Sequence, residues 1–437
     1  IAKANNLTPY VTGPGGLLGD LFGAFGSIDS TLLLTTLAVV ALILIVVYRS
    51  PILWIIPLLS ALFALTMAGG IVYLLAKNDI IDVDGQSQGI LSVLVIGAAT
   101  DYALLLIARY REELHLHENR FDAMRAAYKG VWEPIVASGS TVSISLLILL
   151  FSQLTNAARL GPVGAIGIVC SMITILTLLP AFLLIFGRWI FWPRRPEFDG
   201  DDHVLSGTWA KVGNTIGRNP RKAWVISGVI LLGFAFTSTT LKADGIGTVD
   251  TFTTNPESVV GQKLLVTHFP GGEGDPTQIV VNVDRIGAVT AAVLNAPGVT
   301  TVVPALDGFA APGQPTPPVK VVNGKAILNV TLDKAPDSVE ASNDIPRIRE
   351  LAKEADPTAL VGGTSAVSFD IRKANDRDNK LIIPIILFVI TIILGVLLRS
   401  ILSAALLLGT VVLSYFATLG VCALVFNHIF GFAGGDT

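Results

Sequence analysis

Apolar residues dominate eight stretches of the chain, at about 31–48, 52–76, 89–109, 133–153, 161–187, 223–241, 380–398 and 401–426. Each has close to the 17–25 residues that a helix needs to cross a bilayer, so the pattern predicts eight spans. The polar remainder is unevenly distributed. Residues 1–30 are polar and Gly-rich and end in a short amphipathic stretch at 17–25. Residues 242–379 form one long extramembrane segment, and 427–437 begin another. Within 242–379 the spacing predicts strand 277–284, helix 285–296, strand 299–304, strand 325–333, helix 337–355 and strand 359–363. A Pro/Gly-rich loop covers 304–318. That β-α-β-β-α-β order is the split βαβ, or ferredoxin-like, pattern.

Basic residues set the orientation. Arg49, the run from Arg109 to Lys129, the run from Arg188 to Lys222, and Arg399 occupy alternate connections, against only Lys77 and Arg159 on the other short ones. The basic set is therefore cytoplasmic. Residues 1–30, 77–88, 154–160, 242–379 and 427–437 then lie outside. Two cytoplasmic pieces stand out. In 110–132, Leu114, Phe121, Met124 and Tyr128 recur at helical spacing, which predicts an interfacial amphipathic helix. The Pro- and charge-rich linker 188–222 carries one short helix near 209–216.

Composition agrees with a polytopic membrane protein: 52% hydrophobic residues and 14% charged, against about a quarter charged in soluble domains. Mean hydropathy is +0.67. A net charge of −3 carries no nucleic-acid signal. Cys170 and Cys422 both fall within apolar stretches, so neither a disulfide framework nor a zinc site is indicated. His115 and His117, two residues apart, do not share a helix face, which argues against a metal site there.

One residue breaks the apolar rule. Asp101 puts a carboxylate about 18 Å into the 89–109 run at 1.5 Å per residue, near mid-membrane. A charge at that depth costs about 2.5–3.5 kcal/mol on insertion scales. A proton, a partner or a wet cavity must offset it, and an intramembrane acid is by default a proton-relay candidate. Burial favours the protonated form and a nearby donor or cation favours the ionised one, so alternation between two such settings loads and unloads a proton. Tyr102 projects about 100° away from Asp101 and is expected to reach another carboxylate. Thr100 and, on the next span, Ser138, Ser140 and Ser143 offer hydroxyls. Ser140 and Ser143 share a face and are favoured. Gly161, Gly164 and Gly167 repeat every third residue and read as close helix packing. No cofactor is expected, protons being the coupling ion.

The chain also resembles itself at an offset of 350. Val11-Thr-Gly13 meets Val361-Gly-Gly363, Asp20 meets Asp370, and Tyr48-Arg49-Ser50 meets Leu398-Arg399-Ser400. The runs 31–48 and 52–76 fall on 380–398 and 401–426. Transporters are often built from such repeats, with the site at their interface. By this arithmetic the counterpart of Asp101 falls near position 451, beyond Thr437, and a span and an outer domain are expected before residue 1.

The run Gly97-Ala-Ala-Thr-Asp-Tyr-Ala-Leu-Leu-Leu-Ile-Ala-Arg-Tyr-Arg-Glu-Glu113, with Ala126 to Lys129, Val136-Ala-Ser-Gly-Ser-Thr-Val142 and Tyr48-Arg-Ser-Pro51, resembles the MMPL (mycobacterial membrane protein, large) branch of the resistance-nodulation-division, or RND, exporters. The resemblance implies twelve spans in two six-span halves, each half with a porter-like outer domain. On that map residues 1–30 close the first porter domain, 31–187 are spans of the first repeat, 188–222 a cytoplasmic linker and 223–241 the span that opens the second repeat. Residues 242–379 are then the second porter domain, 380–426 two further spans and 427–437 an outer loop. The resemblance further implies proton-driven export of lipids or hydrophobic small molecules from the plasma membrane. It also implies an Asp-Tyr pair in each half, Asp101 and Tyr102 being the first. Membrane lipids, the cargo, and a homo-oligomer or accessory proteins are the expected partners. Two alternatives share the fold: a sterol- or lipid-sensing receptor, disfavoured by an outer domain without cysteine, and a protein-export accessory. No catalytic constellation suggests an enzyme.

Overall fold

A computed structural model describes residues 8–193, 195–198, 208–241, 252, 254–308 and 316–430. Parts of the expected segments 1–30, 188–222, 242–379 and 427–437 lie outside the described residues, as does position 451, near which a second Asp-Tyr pair is expected. The chain divides into two compact units. One comprises Ser27–Phe236 and Arg377–Thr418; the other comprises Ile1–Gly26, Thr237–Asp376 and Leu419–Thr437.

The first unit holds the greater part of each apolar helix. Among the described residues, seven helices are long and apolar enough to cross a membrane, and Leu32–Tyr48 adds a shorter apolar one. In chain order they are α1 (Gly13–Tyr48), α2 (Ile55–Lys77), α3 (Gly85–Leu116), α4 (Arg120–Ile148) and α5 (Thr155–Phe186), followed after the short α6 (Thr208–Arg218) by α7 (Pro220–Thr237). Beyond the strand-bearing segment come α11 (Thr364–Leu398) and α12 (Ile401–Val425). Helices α2 to α5 pack around a core that includes Ala99, Ala103, Leu106, Ile135, Ile175 and Leu179.

The separate interfacial helix expected over 110–132 does not form. Residues up to Leu116 continue α3, and a new helix starts at Arg120 because the Asn119 side chain accepts a hydrogen bond from the Phe121 amide. The apolar positions that suggested one face are divided between two helices. Tyr110 and Leu114 are fully buried on α3, and Met124 is buried on α4. Similarly, the Asp84 carboxylate caps α3 through the Ser87 amide at 2.7 Å.

The three α5 glycines seat that helix closely. A Cβ at Gly161 would lie 2.6 Å from the Leu146 carbonyl oxygen of α4, and one at Gly167 would lie 2.5 Å from Leu91 Cδ1 and 2.7 Å from Val95 Cγ2 of α3. At the start of α5 a carboxylate from α11 replaces a local cap. Asp378 accepts from Ser152 Oγ at 2.5 Å and from the Gln153 amide at 3.0 Å. Arg377 bonds the Phe151 carbonyl alongside.

The turn after α1 recurs after α11. Arg49 and Arg399 both adopt left-handed backbone, with φ of 51° and 50°. Ser50 Oγ accepts from the Leu53 amide at 3.3 Å and Ser400 Oγ from the Ser403 amide at 3.2 Å. The two sites are separated by the offset of 350 seen in the sequence.

The second unit contains α8 (Glu257–His268), α9 (Ile286–Val293), α10 (Val339–Ala355) and strands β1 (Thr277–Asn282), β2 (Val299–Pro304), β3 (Val321–Val322), β4 (Lys325–Leu332) and β5 (Leu360–Gly362). The sheet order is β2-β4-β1-β5, with β3 added to β4, and all pairs are antiparallel. Alternation puts Ile279, Val281, Leu328 and Val330 on one face, where Val289 and Val293 of α9 and Ile345 and Ile348 of α10 cover them. Sequence spacing anticipated these elements except β3 and α8. Helix α8 is held from the chain's first segment: Asp20 accepts from Ser258 Oγ, and Thr12 Oγ1 donates to the Ser258 carbonyl at 2.9 Å.

Candidate functional site

Asp101 stands at the midpoint of the 32-residue α3. That helix is about 48 Å long, against a hydrocarbon core of about 30 Å. Val93, Gly97, Asp101 and Leu105 follow at four-residue steps and form one open stripe, in which Val93, Asp101 and Leu105 are exposed. A Cβ at Gly97 would meet nothing within 4 Å. Among the described residues no hydrogen bond or ion pair reaches the Asp101 carboxylate. The site is thus a lone acid at mid-helix on an uncovered face.

Tyr102, one position on, turns into the bundle and is 7% exposed. Its hydroxyl lies beside Ser138 of α4. Gly139 sits between the two neighbouring helices: a Cβ there would lie 3.0 Å from Met172 Sδ of α5, a tight approach, and 3.4 Å from the Tyr102 hydroxyl, an ordinary contact. The Ser138-Gly139-Ser140 run of small residues was the sequence signal for this seat, but only contact geometry singles out Ser138 and Gly139.

The other hydroxyls serve elsewhere. Thr100 Oγ1 donates to its own helix, with the Ile96 and Gly97 carbonyls at 2.8 and 2.9 Å, so it is not offered to Asp101. Ser140 is half-buried on α4. Ser143 is buried, and its hydroxyl is unpaired among the described residues. The structure places Tyr102 beside Ser138 and leaves Asp101 apart on the open face, with Thr100, Ser140 and Ser143 on other faces of the same helices.

At the basic end of α3 the chain is tied down. Arg109 pairs with Glu112 at 2.9 Å and with the buried Glu113 at 2.6 Å. Arg188 donates to the His117 carbonyl and the Pro196 carbonyl, both at 2.7 Å. His115 faces the Glu197 carbonyl and His117 faces Glu113, and no metal-type cluster occurs among the described residues.

The sequence profile of the MMPL family matches residues 1–223 and 251–437. Putative membrane protein ActII-3 of Streptomyces coelicolor is 45% identical over 434 residues, covering 99% of this chain and 59% of that protein. The apo-petrobactin exporter of Bacillus anthracis is 30% identical over 446 residues, covering 96% of this chain and 58% of the exporter. The probable transport protein MmpL10 of Mycobacterium leprae is 30% identical over 284 residues, covering 63% of this chain and 27% of that protein. The crystal structure of a heavy metal efflux pump aligns at a TM-score of 0.40 with 17% identity, over 80% of this chain and 33% of the pump. The chain therefore spans about three-fifths of the length of such relatives as ActII-3.

Proposed function

The chain belongs to the MMPL family, a branch of the RND superfamily, and from that premise we propose that it forms part of a secondary transporter, driven by the proton motive force, that exports lipids or hydrophobic small molecules across the plasma membrane. One observation carries this reading: an unpaired carboxylate at the midpoint of a membrane-length helix, on a face nothing described covers. Ionised and facing lipid, it would cost about 2.5–3.5 kcal/mol. Protonated, it sheds most of that cost. The free energy therefore depends on whether water or a second group reaches it, which is the requirement for a carrier that loads on one side and unloads on the other.

In this reading the Asp101 stripe meets a second repeat, whose own Asp-Tyr pair is expected near position 451. The recurring turns at Arg49 and Arg399 support the repeat. Tyr102 turns into the bundle beside α4, and Asp101, about 100° round the helix, is left on the open face. The sheet order β2-β4-β1-β5, antiparallel throughout, supports a ferredoxin-like porter domain outside the membrane. The exporter and transport-protein relatives favour export over a sterol- or lipid-sensing role. Export by cells carrying Asp101→Asn tests the reading. Export is expected to fall to background at unchanged protein level and to recover in part with Asp101→Glu; undiminished export in the Asn variant overturns it.

A further inference from the structure

Helix α6 has no role in the reading above, yet its chemistry is pronounced. Every residue from Lys211 to Lys222 is exposed. Val212 and Ile216 lie one turn apart on one face, 42% and 50% exposed, while Lys211 and Arg218 lie on the opposite face. No acidic residue occurs from Thr208 to Lys222, whereas Lys211, Arg218, Arg221 and Lys222 are cationic. One residue, Asn219, separates the end of α6 from α7. That helix is apolar and membrane-length, and its second turn carries Trp224, 74% exposed. A helix joined by one residue to the basic end of a span has its C-terminal end held at the membrane surface, with the rest of its 11 residues in reach of the headgroups.

We infer that α6 is an anionic-lipid-binding helix, lying in the cytoplasmic headgroup layer with Val212 and Ile216 inserted and the four cations drawing in acidic headgroups. Apolar side chains on one face and Lys/Arg on the other are the combination that interfacial helices use. Burial of the apolar face and the attraction of each cation add, and neither alone is strong. The unbroken cationic composition selects an acidic leaflet over a protein groove, which would have to supply the complementary carboxylates. This inference rests on the topology of the spans and not on cargo or proton coupling, so it can fail without the transport reading failing.

The test uses the intact protein in vesicles of phosphatidylcholine alone or mixed with phosphatidylglycerol. Single cysteines at 212, 216 and 214, in a Cys422→Ala background that keeps the buried Cys170, carry an environment-sensitive fluorophore. With phosphatidylglycerol present, labels at 212 and 216 are expected to be quenched from within the lipid and protected from aqueous iodide, and the label at 214 to behave oppositely. Each cation near an acidic surface is worth about 1 kcal/mol, roughly fivefold. The double variant Lys211→Gln, Arg218→Gln should therefore shift the ratio of bound to free helix about 30-fold toward free. Hydrogen exchange over 208–218 in the unmodified protein gives the same comparison without a label and should show protection that depends on phosphatidylglycerol. Three results overturn the inference: iodide access at 212 and 216 equal to that at 214, shielding of 212 and 216 from both quenchers, or insertion indifferent to both lipid charge and the double variant.

Discussion

Gly161→Ala and Gly97→Ala are the same chemical change on neighbouring helices, and the structure gives them opposite signs. A methyl group at 161 would stand 2.6 Å from the Leu146 carbonyl oxygen, whereas one at 97 meets nothing within 4 Å. An unstrained non-bonded contact lies near 3.5 Å, so the added carbon intrudes by close to 1 Å. Its neighbour is backbone in the last turn of α4 and cannot rotate away, so α4 and α5 must separate. Overpacking of this kind costs about 1–3 kcal/mol. Against it stands the helix-propensity gain of Gly→Ala, about 1 kcal/mol in an exposed helix interior. The net at 161 is a loss of up to about 2 kcal/mol, and at 97 a change between zero and a gain of about 1 kcal/mol. Gly167→Ala should fall between them, because its neighbours, Leu91 Cδ1 and Val95 Cγ2, are side-chain ends that can shift. Reversible unfolding of the purified protein in mixed detergent micelles measures all three. Equal midpoints for Gly161→Ala and Gly97→Ala would refute the close approach of α4 and α5 on which the position of α3, and so of Asp101, depends.

Gly97→Leu puts a bulky side chain on the open Asp101 stripe and, on the proposed packing of a second repeat there, should abolish export; normal export at unchanged protein level would show that nothing docks there. Asp378→Ala strips the Gln153 amide and Ser152 of their partner and should destabilise by about 1–3 kcal/mol in the same unfolding assay. Two carboxylates of the strand-bearing unit should give pH effects of opposite sign. Bonds from the Asn282 and Thr358 amides and side chains hold Asp356 below the usual carboxylate range. Its stabilising contribution is therefore present above the unfolded value of about 3.9 and lost as pH falls through the lower folded one. Asp356→Asn should flatten the acid limb of the unfolding curve. Burial, helped by Asp337 and opposed by a hydrogen bond from Thr364, pushes Asp275 up. Its ionisation penalises the fold as pH rises through that range, so Asp275→Asn should raise the melting temperature at neutral pH and do little in acid.

The spans, the order of elements in 242–379 and the position of Asp101 were legible because each rests on a local pattern: uninterrupted apolar length, a change of period, one charge out of place. The offset of 350 was legible for the same reason, and Arg49 and Arg399 share a backbone conformation that only a common turn requires. What the pattern missed depends on contacts between distant residues. Helical spacing over 110–132 could not show that Asn119 caps a new helix and that Tyr110 and Leu114 belong to the core. Serine spacing on α4 favoured Ser140 and Ser143, but the serine beside the Tyr102 hydroxyl is Ser138. No local pattern marks Asp378; only the packing of α11 sets it on the α4–α5 turn, 225 residues from Gln153 in sequence.

The account stands on Asp101 taking up and releasing a proton within the membrane. Infrared difference spectroscopy of the intact, membrane-embedded protein across a pH step reads this directly, through the carbonyl stretch of a protonated carboxyl group. The account predicts a band that grows as pH falls, is absent in Asp101→Asn, and responds to which side of the membrane is acidified. A spectrum without that band, or one unchanged by Asp101→Asn, would contradict it.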